Sequence, residues 1–137
     1  MKIIFYSYDM SKRILIADDE GINRLFIKTI LTTNGWIVDE ASNGQTAVEL
    51  VEKQEFDIII LDVKMPVMDG KRAAAEIRSI EQKQERSATA ILGLTAYAEK
   101  KLIDELMQHG MNGVIHKPIT EKALIGKITA MLDSKQE

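Results

Sequence analysis

Residues 56–70, FDIIILDVKMPVMDG, decide how the chain is read. Ile58, Ile59, Ile60 and Leu61 form an unbroken apolar run, and Asp62 follows it directly. An apolar run without polar alternation is a strand buried on both faces, the pattern of a parallel sheet covered by helices. A carboxylate at the end of such a strand costs several kcal/mol unless something compensates it. Asp62 therefore asks for a partner.

Outward from this strand, strand and helix patterns alternate from about residue 12. RILIA (13–17) reads as a second buried strand, and Ile22, Leu25, Phe26, Thr29 and Ile30 then recur at helical spacing up to the stop Asn34-Gly35. WIVDEA (36–41) is a strand ended by the turn signal Asn43-Gly44, and TAVELVEK (46–53) is a short helix. Beyond the Met-Pro loop, Ala73, Ala74, Ile77 and Ile80 give a helical stripe that the polar stretch 81–88 punctuates, either extending the helix or looping out. AILGL (90–94) is the next strand, and Leu102, Ile103, Leu106 and Met107 mark a helix from Glu99 to His109 with Gly110 as its cap. GVIH (113–116) is a short strand. Thr120 is a plausible N-cap for a last helix carrying Leu124, Ile125, Ile128, Met131 and Leu132.

Five strands alternating with five helices predict an α/β sandwich, a parallel sheet with helices on both faces. Right-handed crossovers leave few ways to wind it, and the expected strand order is 2-1-3-4-5, the flavodoxin-like one. Ligands in that order sit beyond the carboxyl ends of the strands, where strands 1 and 3 diverge. The domain is expected over 12–133, with 1–11 an N-terminal extension and 134–137 a tail. Phe5, Tyr6 and Tyr8 make the extension unusually aromatic. It reads as an extra strand or a surface-packed segment in preference to a self-association patch.

With 137 residues, 45% apolar and 28% charged, the chain suits one soluble domain. A net charge of −3, from 18 basic and 21 acidic residues, disfavours nonspecific nucleic-acid binding. The absence of cysteine excludes disulfides, zinc-thiolate sites and thiol nucleophiles, and fits a reducing cytoplasm. No apolar run approaches the roughly 18 residues of a membrane helix, and MKIIFYSYDMSKR lacks a signal-peptide cleavage site.

The informative residues fall at one edge. Strand 1 ends in Asp18-Asp19, strand 3 in Asp62, strand 4 in Thr95 and strand 5 in Lys117. Each alone has a bland reading as a cap, a turn hydroxyl or a surface lysine; their convergence on one crevice does not. Two carboxylates about 4 Å apart repel by roughly 4 kcal/mol at an effective dielectric near 20. Lys117 alone does not balance three acids. A hard divalent ion does, and Mg²⁺ characteristically binds through one or two carboxylates, waters and a substrate phosphate. A carboxylate can itself be the nucleophile that forms an aspartyl phosphate, and Asp62 is the most deeply placed candidate. Thr95 and Lys117 are placed to meet the phosphoryl oxygens.

Over about residues 12 to 133 the sequence resembles the receiver domain of two-component response regulators. The resemblance rests on ILIADDE, IIILDVKMPVMDG, LTA at 94–96 and HKPI at 116–119. It implies that Asp62 accepts a phosphoryl group from a phosphohistidine on a sensor histidine kinase or histidine phosphotransfer protein. It implies Mg²⁺ on Asp19, Asp62 and the backbone carbonyl of Lys64, with Asp18 acting mainly through water. Thr95 and Lys117 would contact the phosphoryl oxygens, the Lys117-Pro118 peptide would be cis, and Met65, Pro66, Asp69 and Gly70 would shape the loop. MPVMDG and GMNGVIHKPI are most similar to receivers of hybrid kinases and phosphorelays. The chain departs from the family at Val114, where many members carry the aromatic that moves with the threonine. Lys64 and Tyr97 stand where the family's side chains influence water access.

The expected function is a phosphorylation switch that changes affinity for a downstream protein. It is not an enzyme beyond its own phosphorylation and autodephosphorylation. An aspartyl-phosphate hydrolase is the rival, but position 64 is lysine, where such enzymes carry a second acid, and no cap domain is present. A nucleotide-binding module is opposed by ADDEGIN, which has no glycine-rich phosphate cradle. His109 and His116 read as structural. The Met1 start favours a free-standing regulator over a receiver separated from a hybrid kinase.

Overall fold

The computed structural model describes residues 12–136. Strands β1 (Arg13–Ala17), β2 (Ile37–Ala41), β3 (Ile58–Asp62), β4 (Ala90–Thr95) and β5 (Gly113–His116) form one parallel sheet in the order β2-β1-β3-β4-β5. Between and after them run α1 (Gly21–Thr33), α2 (Gly44–Lys53), α3 (Gly70–Lys83), α4 (Lys100–Gln108) and α5 (Glu121–Gln136). The expected flavodoxin-like winding is the one found. The readings of residues 1–11 lie outside the described residues.

The pleat sends alternate strand residues to opposite faces. Leu15, Ala17, Ile59, Leu61 and Ile91 pack with Ala47, Val48 and Val51 of α2, Ala73, Ala74 and Ile77 of α3, and Leu106 of α4. Ile14, Ile16, Ile58, Ile60, Leu92 and Leu94 pack on the other face with Ile27, Ile30 and Leu31 of α1 and Leu124, Ile128 and Leu132 of α5. Each fully buried Val, Leu or Ile side chain among these contributes about 1.5–3 kcal/mol of transfer free energy. β3 is buried at every position, as its sequence requires.

The register brings the strand ends level. Ala17 pairs with Leu61, Asp62 with Leu94 and Thr95 with His116. Beyond the paired residues, Asp18 N–H donates to Ala41 O (3.1 Å), Val63 N–H to Leu94 O (2.9 Å) and Lys117 N–H to Thr95 O (2.7 Å).

Two glycines let the loop after β3 close. A Cβ on Gly70 would lie 2.3 Å from the Asp62 carbonyl oxygen, and one on Gly44 2.3 Å from that of Met68. Asn43-Gly44 therefore does more than end a strand. Asn43 Oδ1 accepts from Thr46 N–H at 2.8 Å as N-cap of α2, and Gly44 N–H bonds Met68 O at 2.9 Å. Val67, in the same loop, has φ = +69°, a strained conformation for a β-branched residue.

The main departure is the face of α1. The stripe Ile22, Leu25, Phe26, Thr29 and Ile30 recurs at helical spacing, yet only Ile30 of it is buried; Ile27, Ile30 and Leu31 face the sheet. Of the two readings open for 81–88, helix extension holds as far as Lys83, where α3 ends, and α5 runs through Gln136. Thr120 does cap α5, its Oγ1 accepting from Ala123 N–H at 3.1 Å.

Candidate functional site

Asp18, Asp62 and Thr95 are buried at the carboxyl edge of the sheet, and Asp19 is exposed beside them. Carboxylate oxygens of Asp18, Asp19 and Asp62 all lie within 4.8 Å of one another. Asp62 Oδ2 accepts from Lys117 Nζ at 2.6 Å, and its Oδ1 from Lys64 N–H at 3.2 Å. Asp18 Oδ1 accepts from Glu20 N–H at 2.9 Å, whereas its buried Oδ2 has no hydrogen-bond partner. Native proteins rarely leave a buried oxygen so.

The charges explain the protonation behaviour. Burial pushes the Asp18 carboxyl up to about 6; the Glu20 N–H opposes this and the neighbouring Asp62 reinforces it. For Lys117, burial works against the ammonium, but the hydrogen bond to Asp62 and the charges of Asp62, Asp18 and Glu20 outweigh it. Its pKa consequently lies above the ordinary lysine range. Lys117 is a cation at neutral pH, yet it engages only one oxygen of the cluster. The donor set fits a hard divalent cation, with three carboxylates sharing one locus and a buried oxygen among them lacking any donor.

A pocket of about 180 Å³ opens beside Asp62, lined also by Lys64, Thr95, Tyr97, Leu102 and Lys117. Thr95 Oγ1 accepts from Tyr97 N–H at 3.0 Å, which leaves its O–H free to donate into the pocket. At the rim the Lys64 ammonium stands 5.3 Å from the centroid of the Tyr97 ring, within cation–π range. The Lys117-Pro118 peptide is cis. Val114 is half-buried against the α2–α4 side of the core, so the usual aromatic is replaced by an aliphatic packing residue. His116 meets the Ala96 carbonyl at 2.9 Å and His109 that of Glu105 at 2.8 Å, both structural contacts.

Asp18, Asp19 and Asp62 thus share one locus, Lys117 bonds Asp62, and Lys64 and Thr95 line the pocket beside it. Three features were not read from the sequence. Ile22, Leu25 and Phe26 of α1 are 84%, 63% and 46% exposed, and a second pocket lined by Asn23, Phe26, Ile27, Lys117, Pro118 and Ile119 joins that face to the site. Val67 is strained. Arg24 reaches back from α1 to the Asp18 carbonyl, Nη1 to O 2.7 Å. Only the first had a signal, since two apolar stripes share α1 and one helix face suffices for the core.

Residues 14–129 match the family model for the response regulator receiver domain. Among curated relatives, the sensor protein GacS of Pseudomonas syringae pv. syringae is 38% identical over 112 residues, 82% of this chain but 12% of that protein's length. The receiver domain of sensor histidine kinase PA1611 from Pseudomonas aeruginosa PAO1 superposes with a TM-score of 0.80 at 30% identity, covering 90% of this chain and 98% of that one; its structure has a magnesium ion coordinated in the active site cleft. The receiver domain of the Saccharomyces cerevisiae response regulator Ssk1, in co-crystal with the histidine phosphotransfer protein Ypd1, superposes with a TM-score of 0.87 at 26% identity, covering 91% of each chain. The match takes in all five strands and the acid crevice at their carboxyl ends, and the chain belongs to the family of response regulator receiver domains.

Proposed function

We propose that this receiver is a switch in which Asp62 accepts a phosphoryl group from a phosphohistidine on a sensor histidine kinase or histidine phosphotransfer protein. The partnerless Asp18 Oδ2, buried beside Asp62, carries the reading, because a fold that keeps such an oxygen keeps it for a ligand. Asp18, Asp19, Asp62 and the Lys64 carbonyl would hold Mg²⁺. When bound, it offsets the acid cluster's repulsion and the charge of the phosphoryl oxygens.

In the transfer, an Asp62 carboxylate oxygen forms a bond to phosphorus as the P–N bond to the donor imidazole breaks. Lys117 starts on Asp62 Oδ2, at 2.6 Å, and follows the charge onto a phosphoryl oxygen. Thr95 donates its free O–H to another. Lys64 and Tyr97, closing the rim, govern water access and hence the rate at which the domain loses its own phosphoryl group. The acyl phosphate brings new charge and three strong acceptors. These draw on the loops after β3 and β4 and so bias the surface offered to a downstream protein.

The exposed apolar face of α1, continuous with the pocket at Lys117, supports a protein donor over a small free metabolite. Among the described residues no helix is long and apolar enough to cross a membrane. The cytoplasm, where the kinases' phosphohistidines are formed, is the proposed compartment. A free-standing regulator and part of a longer hybrid kinase would use this same site.

Phosphoramidate, which carries the same P–N bond, tests the chemistry. Wild type incubated with it and Mg²⁺ should gain a hydroxylamine-labile phosphoryl group, and Asp62→Asn should gain none. A hydroxylamine-stable label, or equal labelling of the variant, contradicts the assignment.

A further inference from the structure

Resting on the reading of the crevice as a Mg²⁺ site, we propose that Arg24 is a positioning residue that sets the direction of the Asp18-Asp19 pair through the backbone. Its Nη1 donates to the Asp18 carbonyl oxygen at 2.7 Å, and its Nε to Glu40 Oε1 at 3.2 Å. Glu40 is itself held by Lys28, Nζ to Oε2 3.0 Å. The next residue of β2, Ala41, accepts the Asp18 N–H at 3.1 Å. Both backbone polar groups of Asp18 are therefore referred to the last two residues of one strand, the N–H directly and the carbonyl through a guanidinium.

That arrangement has a consequence for the ligands. The carbonyl held by Arg24 belongs to the peptide plane joining Asp18 to Asp19, so fixing that plane places the Asp19 N and Cα from which its carboxylate is carried. Asp19 is exposed, and burial does not orient it. Asp18 is oriented from the other side, by Glu20 N–H on its Oδ1. The guanidinium passes over Gly21, where even an added Cβ would stand at ordinary contact distance, 3.8 Å from Nη2. Stability alone is a weak reason for such a device. The Arg24–Glu40 pair is 22% and 33% exposed, and pairs of that exposure contribute about 0–1 kcal/mol. Groups that orient metal ligands have larger effects, typically 10–100-fold in metal affinity when removed.

The test is Mg²⁺ binding by calorimetry to wild type, Arg24→Ala, Arg24→Lys and Glu40→Gln, with thermal unfolding in Mg²⁺-free buffer alongside. Arg24→Ala should bind Mg²⁺ about tenfold more weakly. Arg24→Lys, which keeps the charge but loses the fork, should fall between it and wild type, and Glu40→Gln should shift the same way by less. Phosphorylation of Arg24→Ala should slow at low Mg²⁺ and recover when Mg²⁺ is saturating. Affinities within twofold of wild type, with or without a lower melting temperature, would reduce Arg24 to a structural tie and overturn the proposal. If wild type binds no Mg²⁺, the reading of the crevice fails first, and this inference with it.

Discussion

The two ends of the sheet treat buried charge in opposite ways. At the amino end Glu81 is buried, and both its oxygens are satisfied, Oε1 by Arg78 Nη1 and Oε2 by Thr89 N–H, each at 2.8 Å. Arg78 also spans α3 to the loop before β5, donating to Gly110 O at 3.0 and 2.7 Å and to Asn112 Oδ1 at 2.8 Å. Asn112 Oδ1 in turn accepts from Ile91 N–H at 2.8 Å. At the carboxyl end three acids share a locus, one lysine answers them, and a buried oxygen has no donor. The same residue types are stabilising where their network closes and held in readiness where it does not. Local rules are broken at functional sites and kept elsewhere.

Breaking the closed end should have the largest effect on stability. Glu81→Ala removes a buried acid from Arg78 and should cost about 2–3 kcal/mol, below the full range for breaking a buried pair because Arg78 is a fifth exposed. Urea unfolding measures it, and phosphorylation of Asp62 by a small donor should be unchanged. A variant as stable as wild type would mean the network is ornamental.

Asp18→Asn should act in the opposite direction. The Asp18 carboxyl titrates near 6 in the folded chain against an ordinary 3.8, so its ionisation opposes folding. That penalty grows as pH rises from about 4 to about 6 and is complete above it. In Mg²⁺-free buffer at pH 7 the variant should be more stable by about 1–2 kcal/mol, with the advantage fading as pH falls through 6 toward 4. Added Mg²⁺ should stabilise the variant less than wild type. A variant less stable than wild type at pH 7 would mean that the open end carries no such penalty.

The loop beside the acceptor stores strain that can be removed separately. Val67→Asn puts a residue tolerant of positive φ at +69° and should stabilise by about 1 kcal/mol. Unfolding midpoints at matched slope decide it. The smallest effects concern the rim. Lys64→Ala and Tyr97→Ala each dismantle the cation–π contact and should alter the half-life of the phosphorylated domain a few-fold. Unchanged half-lives in both would remove the rim from the account of water access.

Much of this was legible in the sequence because the three inner strands, β1, β3 and β4, are rich in Ile and Leu. A run such as IIIL, set between helical patterns, reads as a buried strand, and the polar residue after it falls at the sheet edge, so Asp62, Asp18, Thr95 and Lys117 could be placed by counting. Periodicity fails where two faces of one helix are both apolar. In α1 the stripe through Ile22, Leu25 and Phe26 points to solvent, and Ile27, Ile30 and Leu31 make the core. Glu81 was hidden for a different reason. It opens a polar stretch, and its burial depends on Arg78 and on the turn that brings Thr89 N–H to its second oxygen. Arg24 and Val67 owe their roles to a backbone carbonyl and a dihedral angle, neither of which side-chain pattern records.

The central claim is that the open acid cluster is kept for a divalent cation so that Asp62 can take a phosphoryl group. The most direct measurement is intact mass after incubation with acetyl phosphate, for wild type and Asp62→Asn, with Mg²⁺ and with excess EDTA. The account predicts a single phosphoryl adduct on wild type with Mg²⁺ and none in the other three samples. An adduct of equal yield in EDTA, or on Asp62→Asn, would contradict it.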